Sequence, residues 1–148
     1  MNENTLSKAI LDAAFRVHTA TGPGLYESVY EVVLAHELRK AGLKVERQVP
    51  IPIQYDGLVF DEGFRADLIV EDAVIVELKS VESLAKVHSK QVLTQLRLGG
   101  KRLGLLINFG EVHLKNGIVR IANGMPDEGR PGFGAKILSF FASFATFA

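Results

Sequence analysis

Arg65-Ala66-Asp67-Leu68-Ile69-Val70-Glu71-Asp72-Ala73-Val74-Ile75-Val76-Glu77-Leu78-Lys79 sets two apolar, β-branched runs on either side of a short polar break. Runs of this length and composition read as paired strands joined by a tight turn. Side chains alternate along a strand, so Ile75, Glu77 and Lys79 share one face. A three-residue turn over 71–73 places Asp67 directly opposite Glu77 on that face, whereas a two-residue turn sends the two acids to opposite faces. Two carboxylates and an ammonium on one face are either a solvated strand surface or a site with chemistry to do.

Outward from the hairpin, helical and extended periodicities alternate. Leu6, Ile10, Ala13 and Val17 recur at helical spacing, so an amphipathic helix is expected over 5–20, broken by Thr21-Gly22-Pro23-Gly24. Apolar residues at 25, 29, 32, 33 and 38 predict a second helix from Leu25 to Lys40, stopping near Gly42. Lys44 to Tyr55 is extended, and Pro50 and Pro52, which lack ladder donors, assign it to a sheet edge or a bulge. Asp56-Gly57 marks the next turn. Beyond Lys79 a third helix is expected over 81–98, ending at Gly99-Gly100. Leu103 to Phe109 then reads as a buried strand, and Val112 to Ile121 as a last hairpin turning at Asn116-Gly117.

After this the composition changes. Residues 124–134 carry four glycines and two prolines and read as a linker to an apolar ending with Phe140, Phe141, Phe144 and Phe147. As a helix that ending reaches only about 20 Å at 1.5 Å per residue, too short for a bilayer. It is expected to dock on its own domain or to join two subunits as a homodimer. The chain thus divides into a domain over 1–123 and a segment over 124–148.

A chain of 148 residues can bury roughly 68% of its unfolded surface in one core. It contains no cysteine, which excludes thiolate nucleophiles, thiol redox chemistry and cysteine-ligated zinc. Any metal must be held by oxygen or imidazole. Basic and acidic residues number 17 each, so the molecule as a whole exerts no electrostatic pull on nucleic acid, and a local patch would have to supply it. Met1-Asn2-Glu3-Asn4 lacks the regions of a signal peptide, and no run approaches the roughly 18 apolar residues of a membrane span; a cytoplasmic protein with no membrane contact is expected.

The third helix adds a second polar cluster. At 100° per residue, His88, Gln91 and Gln95 fall within an arc of about 60°, flanked by Val92 and Leu96 on one side and by Val87 and Leu98 on the other. Polar groups inside an apolar face need partners once buried, at roughly 1–3 kcal/mol each, so this arc points toward another polar site. Lys86, Lys90 and Arg97 lie on the opposite face and read as solvated exterior. Glu27 shares a stripe with Leu34 and Leu38 on the second helix and so leans inward, although a first-turn glutamate is also favoured by the helix dipole. Together these groups suit phosphodiester hydrolysis. Asp67, Glu77 and Glu27 offer the oxygen ligands that Mg²⁺ demands, and the metal would activate a water. Lys79 is placed to orient or deprotonate that water or to counter phosphate charge, and Gln91 to orient either.

Gly24-Leu25-Tyr26-Glu27-Ser28-Val29-Tyr30 has the G-x-x-E-x-x-Y form of the GxxExxY protein family, part of the PD-(D/E)XK nuclease superfamily, which the chain resembles over roughly 5–122. The resemblance continues through Glu46-Arg47-Gln48-Val49-Pro50, Arg65 to Val70, Val76-Glu77-Leu78-Lys79, Gln91 and Gly104 to Gly110. It implies an α/β fold with a restriction-endonuclease-like core, a central mixed sheet flanked by helices. It further implies that Asp67 and Glu77 bind Mg²⁺, with Mn²⁺ as substitute, that Glu27 completes the site, and that Lys79 acts on the attacking water. The third helix resembles the Q-x-x-x-Y element of RecB-like nucleases, with Gln91 at the glutamine position and Gln95 where tyrosine would stand. Tyr30, His88 and Gln95 are expected to face the substrate. A Mg²⁺-dependent nuclease acting on DNA, or on RNA, is the function implied. The alternative is a non-catalytic module that binds nucleic acid or protein on the same fold.

Overall fold

In the computed structural model, which describes residues 1–125, two helices lead into a five-stranded sheet. The order is α1 (Glu3–Thr21), α2 (Glu27–Lys40), β1 (Val45–Tyr55), β2 (Leu58–Val70), β3 (Val74–Lys79), α3 (Lys86–Gly99), β4 (Leu103–Asn108), a 3₁₀ turn (Leu114–Gly117) and β5 (Ile118–Ala122). The strands lie side by side in sequence order. Only β3 and β4 run parallel, because α3 carries the chain back across the sheet between them; every other neighbouring pair is antiparallel. The sheet is therefore mixed and the fold α/β, as the sequence led us to expect. Phe140 to Phe147 and nearly all of the expected linker lie outside the described residues.

Two apolar layers fix the sandwich. Leu6, Ile10 and Val17 of α1 and Leu34 and Leu38 of α2 pack with Leu68, Val70, Val74, Val76 and Leu78 on one face of the sheet. Val92 and Leu96 of α3 pack with Ile51, Ile69, Ile75 and Leu106 on the other. β3 and β4 are covered on both sides, which is why both read as unbroken apolar runs. β1 forms an edge, and its register with β2 shifts between Ile51 and Ile53, where the prolines stand. The outer half of the β1–β2 ribbon is exposed.

Two sequence expectations need correcting. α3 starts at Lys86 rather than near Val81, since the chain after β3 first makes a series of bends over 81–83. The last hairpin is β4 with β5, not a turn within 112–121. Leu114 is drawn into the core beneath the 3₁₀ turn, which takes Asn116-Gly117 out of any strand-to-strand turn. Among the described residues no helix is long and apolar enough to cross a membrane.

Candidate active site

The ladder between β2 and β3 runs from Val70–Val74 to Leu68–Val76 and stops. One step further in the same register lie Asp67 and Glu77, where the two strands fork. The turn between the strands is the three-residue form. Glu71 and Asp72 take left-handed φ values of 51° and 52°, and the Ala73 N–H donates to the Val70 carbonyl at 3.0 Å. At the fork, backbone donors that would face a partner strand find carboxylates instead. The Asp67 N–H donates to Glu77 Oε1 at 3.2 Å, and the Leu78 N–H donates to Asp67 Oδ2 at 2.9 Å. Buried N–H groups must be paired, so each acid is held by the backbone of the opposite strand.

This bracing brings like charges together away from water. Burial, and then the charge of Asp67, push the Glu77 carboxyl up to about 8. Burial also raises Asp67, and the charge of Glu31 adds to it. Lys79 lies beyond Glu77 on the same strand face, but its Nζ is 4.0 Å from Glu27 Oε1. A pair that long and partly exposed is worth little, which leaves the ammonium free to turn toward a bound phosphate.

Glu31 and Gln48 belong to the site although the sequence reading gave neither a role there; Gln48 stood only within the matching stretch Glu46 to Pro50. Glu31 is buried on α2 and accepts from Arg47 Nη2 at 3.3 Å and from Gln48 Nε2 at 2.6 Å. The same Gln48 amide donates to Asp67 Oδ1 at 3.3 Å. Gln48 does this from a left-handed backbone, φ 52°, a costly conformation for a residue with a long side chain. Only the three-dimensional pairing of β1 with β2 reveals this role.

Of the polar arc on α3, it is Gln95 that reaches the acid pair. Gln95 is buried, its amide lies against Glu77 and favours the charged carboxylate, and its Oε1 has no hydrogen-bond partner. Gln91, by contrast, is exposed, and His88 Nδ1 accepts from the Ala85 N–H to cap the helix start. Tyr30 is corrected as well: fully buried, it stacks on Phe109 at 4.4 Å and 10° and cannot face substrate. Its hydroxyl donates to the Gly22 carbonyl at 2.6 Å and accepts from the Leu25 N–H at 3.2 Å. The spacing from Gly24 to Glu27 to Tyr30 thus has a local reason. Gly24 turns the chain at φ 99°, Glu27 opens α2, and Tyr30 pins the loop one helical turn later.

The donor set suits a hard divalent cation. Mg²⁺ takes one or two carboxylates and keeps several waters, which is what the Asp67–Glu77 pair can accommodate. The orphaned Gln95 oxygen would accept from such a water. Among the described residues, however, no three His, Asp or Glu side chains are grouped so as to hold a metal ion. Glu27, the expected third ligand, stands half-exposed beside Lys79.

A family model described as the PD-(D/E)XK nuclease superfamily matches residues 4–121, from α1 to β5. No curated protein and no solved structure matches the chain significantly.

Proposed function

The chain belongs to the PD-(D/E)XK nuclease superfamily, and from that premise we propose that it hydrolyses phosphodiester bonds of DNA, or of RNA, as a metal-dependent nuclease of the GxxExxY group. Its mixed sheet with flanking helices is the restriction-endonuclease-like fold of that superfamily. Fold alone does not fix chemistry, so the reading rests on the site. The observation that carries it is the pair of carboxylates clamped by backbone N–H groups at the fork, with Lys79 on the same face.

Asp67 and Glu77 would hold Mg²⁺ or Mn²⁺. When bound, the cation supplies charge against the phosphate oxygens and acidifies a water. Gln95 bonds to Glu77, opposing in part the burial that disfavours its charge, and would offer Oε1 to the hydration shell. Gln48 fixes the outer oxygen of Asp67, and Glu31 fixes Gln48. Lys79 leaves its loose contact with Glu27 and donates to the attacking water or to a phosphate oxygen.

The test offers single-stranded, duplex and branched DNA, and RNA, to the full chain with Mg²⁺, Mn²⁺ or EDTA, beside Lys79→Ala. Metal-dependent cleavage that falls by about 10²-fold or more in the variant supports the reading. Equal cleavage by both proteins defeats it. A second reading is a binding module that keeps the site without turnover. Thermal stabilisation by millimolar Mg²⁺ with no cleavage of any substrate would select that one.

A further inference from the structure

Beside the fork, the α1–α2 loop, the segment after β3 and the residues just after β4 line a cavity of ≈ 400 Å³ that stands open to solvent. Its apolar lining comes from Leu25, Tyr26 and Val81, and its acids are Glu27 and Glu82. The cavity is preformed. Asn108, wholly buried, accepts from the Val81 N–H at 3.0 Å and donates to the Val81 carbonyl at 2.9 Å. Ser80 Oγ donates to the Leu25 carbonyl at 2.6 Å, tying the same segment to the α1–α2 loop. A side chain at Gly110 would sit 2.2 Å from the Val81 carbonyl oxygen, so only glycine allows this closure. Such locking of three loops is unexplained by the needs of the fork alone.

The chemistry of the lining selects the ligand. Two carboxylates repel phosphate, so the cavity is not an anion site. They accept hydrogen bonds from amino and ring N–H groups, and the apolar walls suit a flat ring. Tyr26 is 83% exposed although it is aromatic and adjoins the core loop, a face offered to a stacking partner. Position completes the argument: Glu27 touches Lys79, two residues along β3 from Glu77, and two residues of strand span about 6.6 Å. That is close to the step between neighbouring nucleotides in an extended strand. A molecule with no net charge must also gain grip from something other than phosphates.

Resting on the nuclease reading, we propose that this cavity is a subsite for one unpaired, amino-bearing nucleobase next to the reactive phosphate, stacked on Tyr26 and held by Glu82, so that the substrate class is single-stranded nucleic acid. A base within a duplex has both its faces and its pairing edge occupied and cannot enter.

The test uses a short single-stranded DNA carrying one 2-aminopurine, an amino-bearing fluorescent base, with the full chain in EDTA, so that binding is read without cleavage. Saturable quenching is expected on the single strand and not on the matching duplex. Tyr26→Ala should weaken binding by about tenfold, the usual effect of losing one stacked aromatic. Glu82→Gln should weaken it less and leave the melting temperature unchanged. Equal binding of duplex and single strand, or a Tyr26→Ala protein that is folded and binds as tightly as wild type, overturns the proposal. The two readings fail separately. Tyr26-dependent binding with no cleavage under any metal keeps the subsite and removes the nuclease, whereas cleavage of duplex that ignores Tyr26→Ala keeps the nuclease and removes the subsite.

Discussion

Leu68 and Asp67 are adjacent in β2, yet they belong to opposite kinds of structure. Leu68 lies in the paired stretch of the β2–β3 hairpin, fully buried against α1 and α2, where backbone hydrogen bonds run from strand to strand. At Asp67 the strands part, and carboxylates replace the ladder as hydrogen-bond partners. The paired half stabilises the fold by removing apolar surface from water. The forked half works against it, because two acids are held together in a place that disfavours their charge. A sheet that ends in a fork thus provides a frame and, one residue further on, a pair of acids whose mutual repulsion a proton or a bound cation would relieve.

The sharpest way to break this contrast is a pair of neighbouring substitutions. Asp67→Asn keeps an oxygen for the Leu78 N–H but loses the charge, so cleavage should drop by about 10³-fold while stability holds or rises. Leu68→Ala should cost about 2–5 kcal/mol of stability, with cleavage per folded molecule close to wild type. Urea unfolding and single-turnover cleavage, measured on both proteins, read the two effects apart. If Asp67→Asn unfolds the protein as readily as Leu68→Ala does, the division between frame and site is wrong.

A smaller effect follows from Glu77. Its folded-state pKa is raised, so between roughly its ordinary value of 4.5 and about 8 the folded chain binds more protons at this site than the unfolded chain. Unfolding free energy must then fall as pH rises through that window, on the order of a few kcal/mol in total. The loss should be seen in EDTA between pH 5 and pH 8 and should be largely absent in Glu77→Gln, which becomes the more stable protein at pH 8. A wild-type stability that climbs across this range would contradict the strained pair.

Both halves of the hairpin were legible in the sequence, but for different reasons and to different depths. β-branched runs and a polar break mark the strands, and strand alternation alone puts Glu77 and Lys79 on one face. Pro50 and Pro52 likewise announce the edge strand, since a missing donor is a local property. What stayed hidden depends on distant packing. Whether Gln91 or Gln95 meets Glu77 depends on how α3 packs across the sheet, which Val92 and Leu96 fix against Ile75 and Leu106. Tyr30 resembles a site residue until Phe109, far along the chain, is seen stacked on it. Glu31 and Gln48 come from different elements and meet Asp67 only after β1 pairs with β2.

Gln48 offers the finest test of how the fork is held. Its left-handed backbone costs about 1–2 kcal/mol for a residue with a side chain, and glycine would remove that strain. Glycine would also remove an amide that bridges Glu31 and Asp67, and hydrogen bonds to charged groups contribute a comparable amount. The two terms oppose, so Gln48→Gly should leave stability within about 1 kcal/mol of wild type. Cleavage should nevertheless fall by about tenfold, because Asp67 loses the group that fixes its outer oxygen. The cycle with Glu31→Gln separates positioning from a general effect: if Gln48 acts as the link between the two acids, the double variant should cleave no worse than Gln48→Gly alone. Losses that simply multiply would show that Glu31 and Gln48 act independently, and Asp67 would then owe its position to the Leu78 N–H and not to the relay from α2.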